Sequence, residues 1–554
     1  MAAALLAGCL LLSGCATGWH RTSQPAAAAA DRPRLSDAEL DRLADAYAHY
    51  AQGVMLETRG EEEPALEEYR QALEADPSNE LLAVQLAGRY LQKQQPDQAV
   101  NLLREVLKAN PDAGGLYGWL GMAHQAAGRT NEAARAFREC TRRAPDVFIG
   151  YAGLARMAYE ARDAKTALDV LDKAAGRPVE DPRFWVSLAD TLAMGVRQKV
   201  LTNEQVRDRI KRALDRADAA NPDAPDLLQR MAELYRAGGF LPEAIRYYER
   251  LVGVAATQSP GLQALLREQL YRLYLQTGDK EKAEAQLRAL LDLNPTNPQI
   301  RLLLARAAVE RRDFPEAVRH LEQLLLVQPD FEPAYYELIS VHLQADQPDE
   351  AEAVLARVRE RFKPGFQYEL TAGVLAMVRE QYAEAVRHLT RAETLGREEA
   401  PERLDGRFYF QLGSACERAG DYEQAVRYLK RSLELDPGNP VTLNYLGYMW
   451  ADRGENLEEA LRLIQQAVEK DPDNPAYLDS LAWALYKLGR AAEALPHQLR
   501  AVVLQKEPDA TLLDHLGDIH AALGHKDQAR DAYDRALAIK DDPAIRRKRD
   551  ALDP

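Results

Sequence analysis

The stretch YFQLGSACERAGDYEQAVRYLKRSLELDP, residues 409–437, decides the fold. It opens with Tyr409-x-x-Leu412-Gly413-x-x-Cys416, apolar or small residues spaced i, i+3, i+4 and i+7. That spacing makes one face of a helix, and the small Gly413 lets a second helix approach closely. A short polar turn follows, Arg418-Ala419-Gly420-Asp421. Ala425 then stands in the core stripe of a second helix, and Pro437 ends the segment. Proline stops one helix and helps to start the next.

The pattern recurs along the chain. Ala65, Ala99, Ala133 and Ala167 follow one another at a single constant interval. Ala244, Ala283, Ala317, Ala351, Ala385, Ala425, Ala460, Ala494 and Ala529 continue the series at that interval or one place more, with wider steps before Ala283 and Ala425. The gap between Ala167 and Ala244 exceeds two intervals, enough for one unmarked unit with Ile210 near the marker position. That makes fourteen units. First-helix segments repeat as Tyr117-x-x-Leu120-Gly121-x-x-His124 and Leu513-x-x-Leu516-Gly517-x-x-His520, and second-helix segments as Ala133-x-x-x-Phe137-x-x-Cys140 and Ala529-x-x-x-Tyr533-x-x-Ala536. One helix pair cannot bury its apolar stripes alone, so neighbouring pairs must stack.

These residues resemble the tetratricopeptide repeat family over roughly residues 40–540. The resemblance implies an all-α superhelical solenoid of about fourteen helix-turn-helix units, a non-catalytic scaffold that takes protein or peptide partners in a concave groove. Trp185 fills a position where the family often has tryptophan; other units use Tyr117, Tyr409 or Leu443. The expected organisation is a solenoid over residues 36–540, insertions near 195–210, 252–261 and 394–406, and a capping segment over 541–554.

The front of the chain reads differently. Residues 2–14 are apolar or small without charge, too few to span a bilayer but suited to a secretory signal. Leu12-Ser13-Gly14-Cys15 looks like a bacterial lipobox, which implies cleavage before Cys15 and a lipid on its thiol. Residues 15–35, with an alanine run at 26–30, read as a flexible tether. The expectation is a lipoprotein held in the bacterial cell envelope, facing the periplasm from the outer membrane. No basic residue precedes Cys15, a departure from the signal pattern. A cytosolic adaptor with an incidental apolar end is the alternative.

The net charge of −15 disfavours phosphate backbones, so no nucleic-acid partner is expected. The basic run Arg546-Arg547-Lys548-Arg549 reads as the face of a last helix. His515, His520 and His525 are spaced by five, which turns them off a common face, so no metal and no cofactor is expected. Cys140 and Cys416 occupy stripe positions and read as buried, unlinked thiols. No nucleophile elbow or phosphate loop occurs, and no enzymatic activity is expected.

What remains is the groove. In the family the first helices line it, at positions beside the core stripe. The early units offer Leu81, Val84, Leu91 and Met122 there. The late units offer Arg407, Phe410, Asn444, Tyr448, Asp479, Trp483, Tyr486, Lys487, Asp514 and Asp518, flat aromatics beside groups that can bond a peptide backbone. Aromatic content of this kind also suits a carrier of an exported glycan.

Overall fold

The computed structural model describes residues 36–256 and 259–552. Lipobox, signal and tether, including Cys15, lie outside the described residues. The chain divides into two compact units, residues 1–295 and 296–554. Among the described residues each holds seven antiparallel helix pairs, and the second adds a final helix, Pro543–Asp550. No strand occurs among them.

A regular pair is short and sharply bounded, as the sequence after residue 436 shows. Asn439 accepts hydrogen bonds from Val441 N and Thr442 N at 3.1 and 3.2 Å, and Pro440 follows at the first helical position of Pro440–Arg453. The amide satisfies donors that the first turn leaves free, and proline has no such donor to satisfy. Asn297 and Asn474 repeat the arrangement before Pro298 and Pro475. Asn439 also donates to Asp436 Oδ2 at 3.0 Å, which folds the turn around Pro437.

Between the two helices of every pair the backbone passes through the left-handed region. Eight of these turns use a glycine, Gly420 at φ +85° among them, with Asn456 as a second left-handed residue in the Gly454 turn, and six use another residue: Gln94, Arg162, Lys199, Arg312, Asp346 and Glu380. Fourteen turns thus mark fourteen pairs, which agrees with the alanine count. All thirteen marker alanines are 0–2% exposed, because each lies where the second helix crosses its own first helix and the next one. In the unmarked pair, Pro182–Arg197 with Asn203–Ala219, the fourth position of the second helix is Val206. Ile210 falls one turn later, so the marker place belongs to Val206, 2% exposed.

The irregular spacings are absorbed by longer helices. The pair around 195–210 has helices of 16 and 17 residues. Leu241–Ala255 and Pro260–Thr277 flank the second insertion. Tyr382–Glu399 runs 18 residues before a single 3-10 turn, Pro401–Arg403, at the third. The last helix lays Ile545 against a small cluster of Leu513, Ala529, Tyr533 and Ala536. A solenoid otherwise ends in an open apolar stripe.

First helices of successive pairs pack on one another, from Glu80–Gln92 through Pro225–Ala237 in the first unit and from Pro440–Arg453 through Ala510–Ala522 in the second. Among the described residues, second helices show no comparable approach. Within each unit the first helices therefore form the inner row.

Candidate functional site in the late inner row

Four consecutive first helices build the candidate site: Gly406–Arg418, Pro440–Arg453, Pro475–Lys487 and Ala510–Ala522. Their fifth residues are Phe410, Asn444, Asp479 and Asp514; their ninth are Ser414, Tyr448, Trp483 and Asp518. The repeat brings these eight side chains into two parallel rows, and the two halves of those rows have different fates.

The C-terminal half closes on itself. Asp479 is 5% exposed and accepts a hydrogen bond from Gln498 Nε2 at 2.6 Å, while His515 Nδ1 lies 2.9 Å from its Oδ1. The His515 ring stacks on Trp483 at 3.9 Å between centroids, and Tyr486 covers the indole at 5.1 Å. Trp483 Nε1 donates to Asp452 at 3.2 Å, and Lys487 Nζ donates to the Asp452 carbonyl at 2.9 Å. Tyr448 comes within 6.5 Å of His515 although they lie two repeats apart, so the first helices converge tightly here. Burial, reinforced by Asp452, pushes the Tyr448 hydroxyl pKa up.

Asp514 and Asp518 are likewise taken. Lys548 of the last helix reaches Asp514 at 2.9 Å and Asp518 at 2.7 Å, and Tyr533 donates to Asp518 at 2.7 Å. Burial raises the Asp514 pKa, and Lys548 only partly offsets that. Burial also works against the Lys548 charge, but its hydrogen bonds to Asp518 and Asp514 hold its pKa above the ordinary value. Lys548, with Arg549 on Asp534, thus clamps the last helix to the final pair, while Arg546 pairs with Asp541 in the segment just before that helix.

This corrects the expectation that all ten residues face an open groove. Asp479, Trp483 and Asp518 are buried, and Asp514 and Lys487 are engaged within the chain. The physical cause is the convergence of the first helices, which leaves no width between rows. Sequence reasoning missed Gln498, His515, Asp452 and Lys548, the intramolecular partners. One signal was available for His515: it stands one place beyond the Asp514 row, a repeat away from Asp479.

The N-terminal half stays open. Arg407 is exposed, and Phe410 is half-buried edge-on to Tyr445 at 5.4 Å. Asn444 lies between Phe410, one repeat before it in the row, and Tyr448, one turn further along its own helix. Its side-chain oxygen is enclosed and accepts no hydrogen bond. Tyr445 is held by Glu417 at 2.8 Å and Ser414 at 3.1 Å, so the wall beside Asn444 is rigid. In the early inner row Leu81 is exposed, Leu91 and Met122 are half-buried, and Val84 is buried.

Elsewhere the chemistry is structural. Cys140 and Cys416 are buried free thiols, and burial pushes each pKa up to about 11. His520 and His525 approach each other at 3.3 Å, away from His515. Among the described residues no group of three or more His, Cys, Asp or Glu could hold a metal ion, and no helix is long and apolar enough to cross a membrane.

Comparison with known proteins agrees with this architecture. Profiles described as "Tetratricopeptide repeat" match residues 59–120, 274–340 and 308–368, residues 367–437, residues 120–183 and 451–511, and residues 510–543. Cellulose synthase operon protein C of Pseudomonas fluorescens is 26% identical over 243 residues, 42% of this chain and 18% of that protein. Tetratricopeptide repeat protein 21B of Xenopus laevis is 22% identical over 322 residues, 54% of this chain and 24% of that protein. The chain thus spans less than a quarter of the length of either. Among solved structures, the APC/C hetero-tetramer Cut9-Hcn1 aligns over 86% of this chain and 90% of that one at 17% identity and a TM-score of 0.35. Naa15/Naa10 bound to HypK-THB aligns over 85% and 78% at 15% identity and a TM-score of 0.36. With the period, the paired helices and matches spread from residue 59 to residue 543, the chain belongs to the tetratricopeptide repeat family.

Proposed function

We propose that this protein is a non-catalytic scaffold that binds an extended segment of a partner protein along the open part of the second unit's inner row. The observation that carries the reading is Asn444: an amide whose oxygen has no partner, in a rigid wall between Phe410 and Tyr448. An enclosed acceptor without a donor costs free energy, and a turn of the half-buried Asn444 side chain toward a partner's backbone N–H would recover it. Arg407 at the rim adds a charge for orientation, and the aromatics supply apolar area. The test is capture from detergent-solubilised envelope. Asn444→Ala and Phe410→Ala should lose captured proteins that wild type retains, with unchanged melting. Equal capture by wild type and both variants would remove this site from consideration.

The scaffold is proposed to act in the bacterial cell envelope, anchored through a lipid on Cys15. The support is the Leu12-Ser13-Gly14-Cys15 motif followed by an alanine-rich stretch. Similarity to a cellulose synthase operon protein favours a polysaccharide synthesis or export system as client over pilus, secretion or outer-membrane assembly. Labelled fatty acid should enter the wild-type chain and not Cys15→Ala, with any upstream start included. Absence of label from wild type would refute the anchor and leave the scaffold reading standing.

A further inference from the structure

The pair that lacks the marker alanine also holds a cavity of about 300 Å³. It lies wholly within the first unit, where Ala164–Ala175, Pro182–Arg197 and Asn203–Ala219 meet. Its floor is apolar: Leu171, Trp185, Leu188 and Leu192, with Ala175 and Ala213 at the sides. The long second helix of this pair carries the rim, because Arg209, Arg212 and Arg216 recur at spacings of three and four and so share one face.

The three guanidinium groups are not equivalent. Arg209 is fully used: two nitrogens donate to Asp172 at 2.8 Å each and a third to the Gln205 carbonyl. Arg216 lies over the Trp185 ring at 4.5 Å and directs one nitrogen to the Ala175 and Arg177 carbonyls. Arg212 is exposed and, among the described residues, forms no hydrogen bond or ion pair; its charge only helps to lower the Asp172 pKa. Trp185 is pinned by its Nε1 donating to the Val179 carbonyl at 2.8 Å, so the wall is preformed. Three cations face one carboxylate at this rim, in a chain whose net charge is −15.

We infer that this cavity binds an amphipathic monocarboxylate, with an apolar or aromatic body on the floor of Leu188 and Trp185 and the carboxylate on Arg212 and the free edge of Arg216. A planar guanidinium matches a carboxylate with two parallel hydrogen bonds. Apolar walls with a few convergent polar groups are the usual make-up of a small-ligand pocket, and this volume sits at the lower end of the range of about 300–1,000 Å³. Asp172 at the same rim disfavours a dianion. The carboxylate could belong to a free organic acid or to the C-terminal residue of a peptide; the chemistry at Arg212 is the same.

Titration calorimetry on the full chain separates these sources. The probes are 3-phenylpropionate and the peptide Gly-Gly-Phe, each beside its amide. Saturable binding of one acid or both, absent for the matching amide, is the expected result. Binding by phenylpropionate identifies the free acid as sufficient; binding by the peptide alone assigns a chain terminus. Arg212→Gln should weaken binding about tenfold or more, the scale of a charge-assisted pair, and leave melting nearly unchanged, since Arg212 is exposed and its long-range attraction to Asp172 is minor beside the direct Arg209 pair. Ala175→Leu should block the cavity and abolish binding while leaving Arg212 in place. The inference fails if neither acid binds, if the amides bind equally, or if Arg212→Gln binds as wild type does.

Discussion

Single residues set how closely the two helices of a pair can lie. A methyl group at Gly413 would sit 2.8 Å from Leu429 Cγ and 3.1 Å from the Leu429 backbone nitrogen, closer than the core tolerates. Alanine gains about 1 kcal/mol in helix propensity over glycine, but overpacking costs about 1–3 kcal/mol and the backbone of Leu429 cannot step aside. Gly413→Ala should therefore destabilise, seen as faster hydrogen exchange in Gly406–Arg418 and Tyr422–Leu435. Trp483 makes the opposite test. As a groove residue its loss would leave stability intact; stacked between His515 and Tyr486 it should cost about 3–5 kcal/mol locally on truncation to alanine. Exchange that stays slow in Pro475–Lys487 and Ala510–Ala522 of Trp483→Ala would return the indole to the groove. Cys140 and Cys416 offer a pH-dependent readout. With pKa values near 11, both are neutral thiols at pH 8, so disulfide-exchange reagents should modify them about a hundredfold more slowly than an ordinary thiol. Because the folded pKa is raised, the unfolded chain releases these protons first. Their contribution to stability is complete below the ordinary thiol range and is withdrawn as pH climbs toward 11. Rapid labelling of native protein at pH 8 would mean that the pockets around them open.

At the scale of the element, the inter-helix turn is the most uniform feature in backbone and the least uniform in sequence. The same left-handed backbone is carried by Gly420 and by Glu380. That region costs an L-residue about 1–2 kcal/mol, while glycine costs less than this in unfolded-chain entropy. Glu380→Gly should raise the stability of its pair by a few tenths to about 1 kcal/mol, read as slower exchange in Tyr382–Glu399. A loss of protection there would show that Glu380 is kept by a contact rather than tolerating a strain. The last helix is held by charge as much as by Ile545. Lys548→Met keeps the side chain's apolar length but leaves Asp514 and Asp518, both drawn out of water, without their cation. Exchange in Lys526–Ile539 and Pro543–Asp550 should accelerate, since removing one partner of an enclosed ion pair costs more than the pair contributed.

For the whole molecule the governing fact is that contacts are local in sequence. Stability in such an array is a sum of pair and neighbour terms, and cooperativity can fail between distant pairs. Denaturant unfolding followed by two reporters, one in each compact unit, should give transitions that do not coincide. Gly413→Ala should then shift the transition of residues 296–554 and leave that of residues 1–295 where it was. A single shared transition, moved as a block by that substitution, would show coupling along the entire chain.

The amino-acid sequence determined the class and the number of pairs, while the inner row was implied by the family resemblance. Class and pair number follow from the constant interval of the marker alanines, from small residues at fixed offsets and from turn chemistry, all of which are local and act over one or two helices. Val206 escaped because a marker read as alanine is a size requirement, and one pair meets it with a larger side chain. Sequence also placed Asn444 and Tyr448 at inner-row positions. Only the tertiary structure decided which inner-row residues remain accessible, because that depends on how tightly successive first helices converge, a sum of small rotations that no single repeat encodes. That convergence buried Trp483 under His515, gave Asp479 to Gln498 and Asp518 to Lys548, and left Arg407 exposed and Phe410 and Asn444 half-buried. The arginine-rimmed cavity has the same origin: Trp185 and Arg212 stand on different helices, and only the packing of three helices makes a floor of one and a rim of the other.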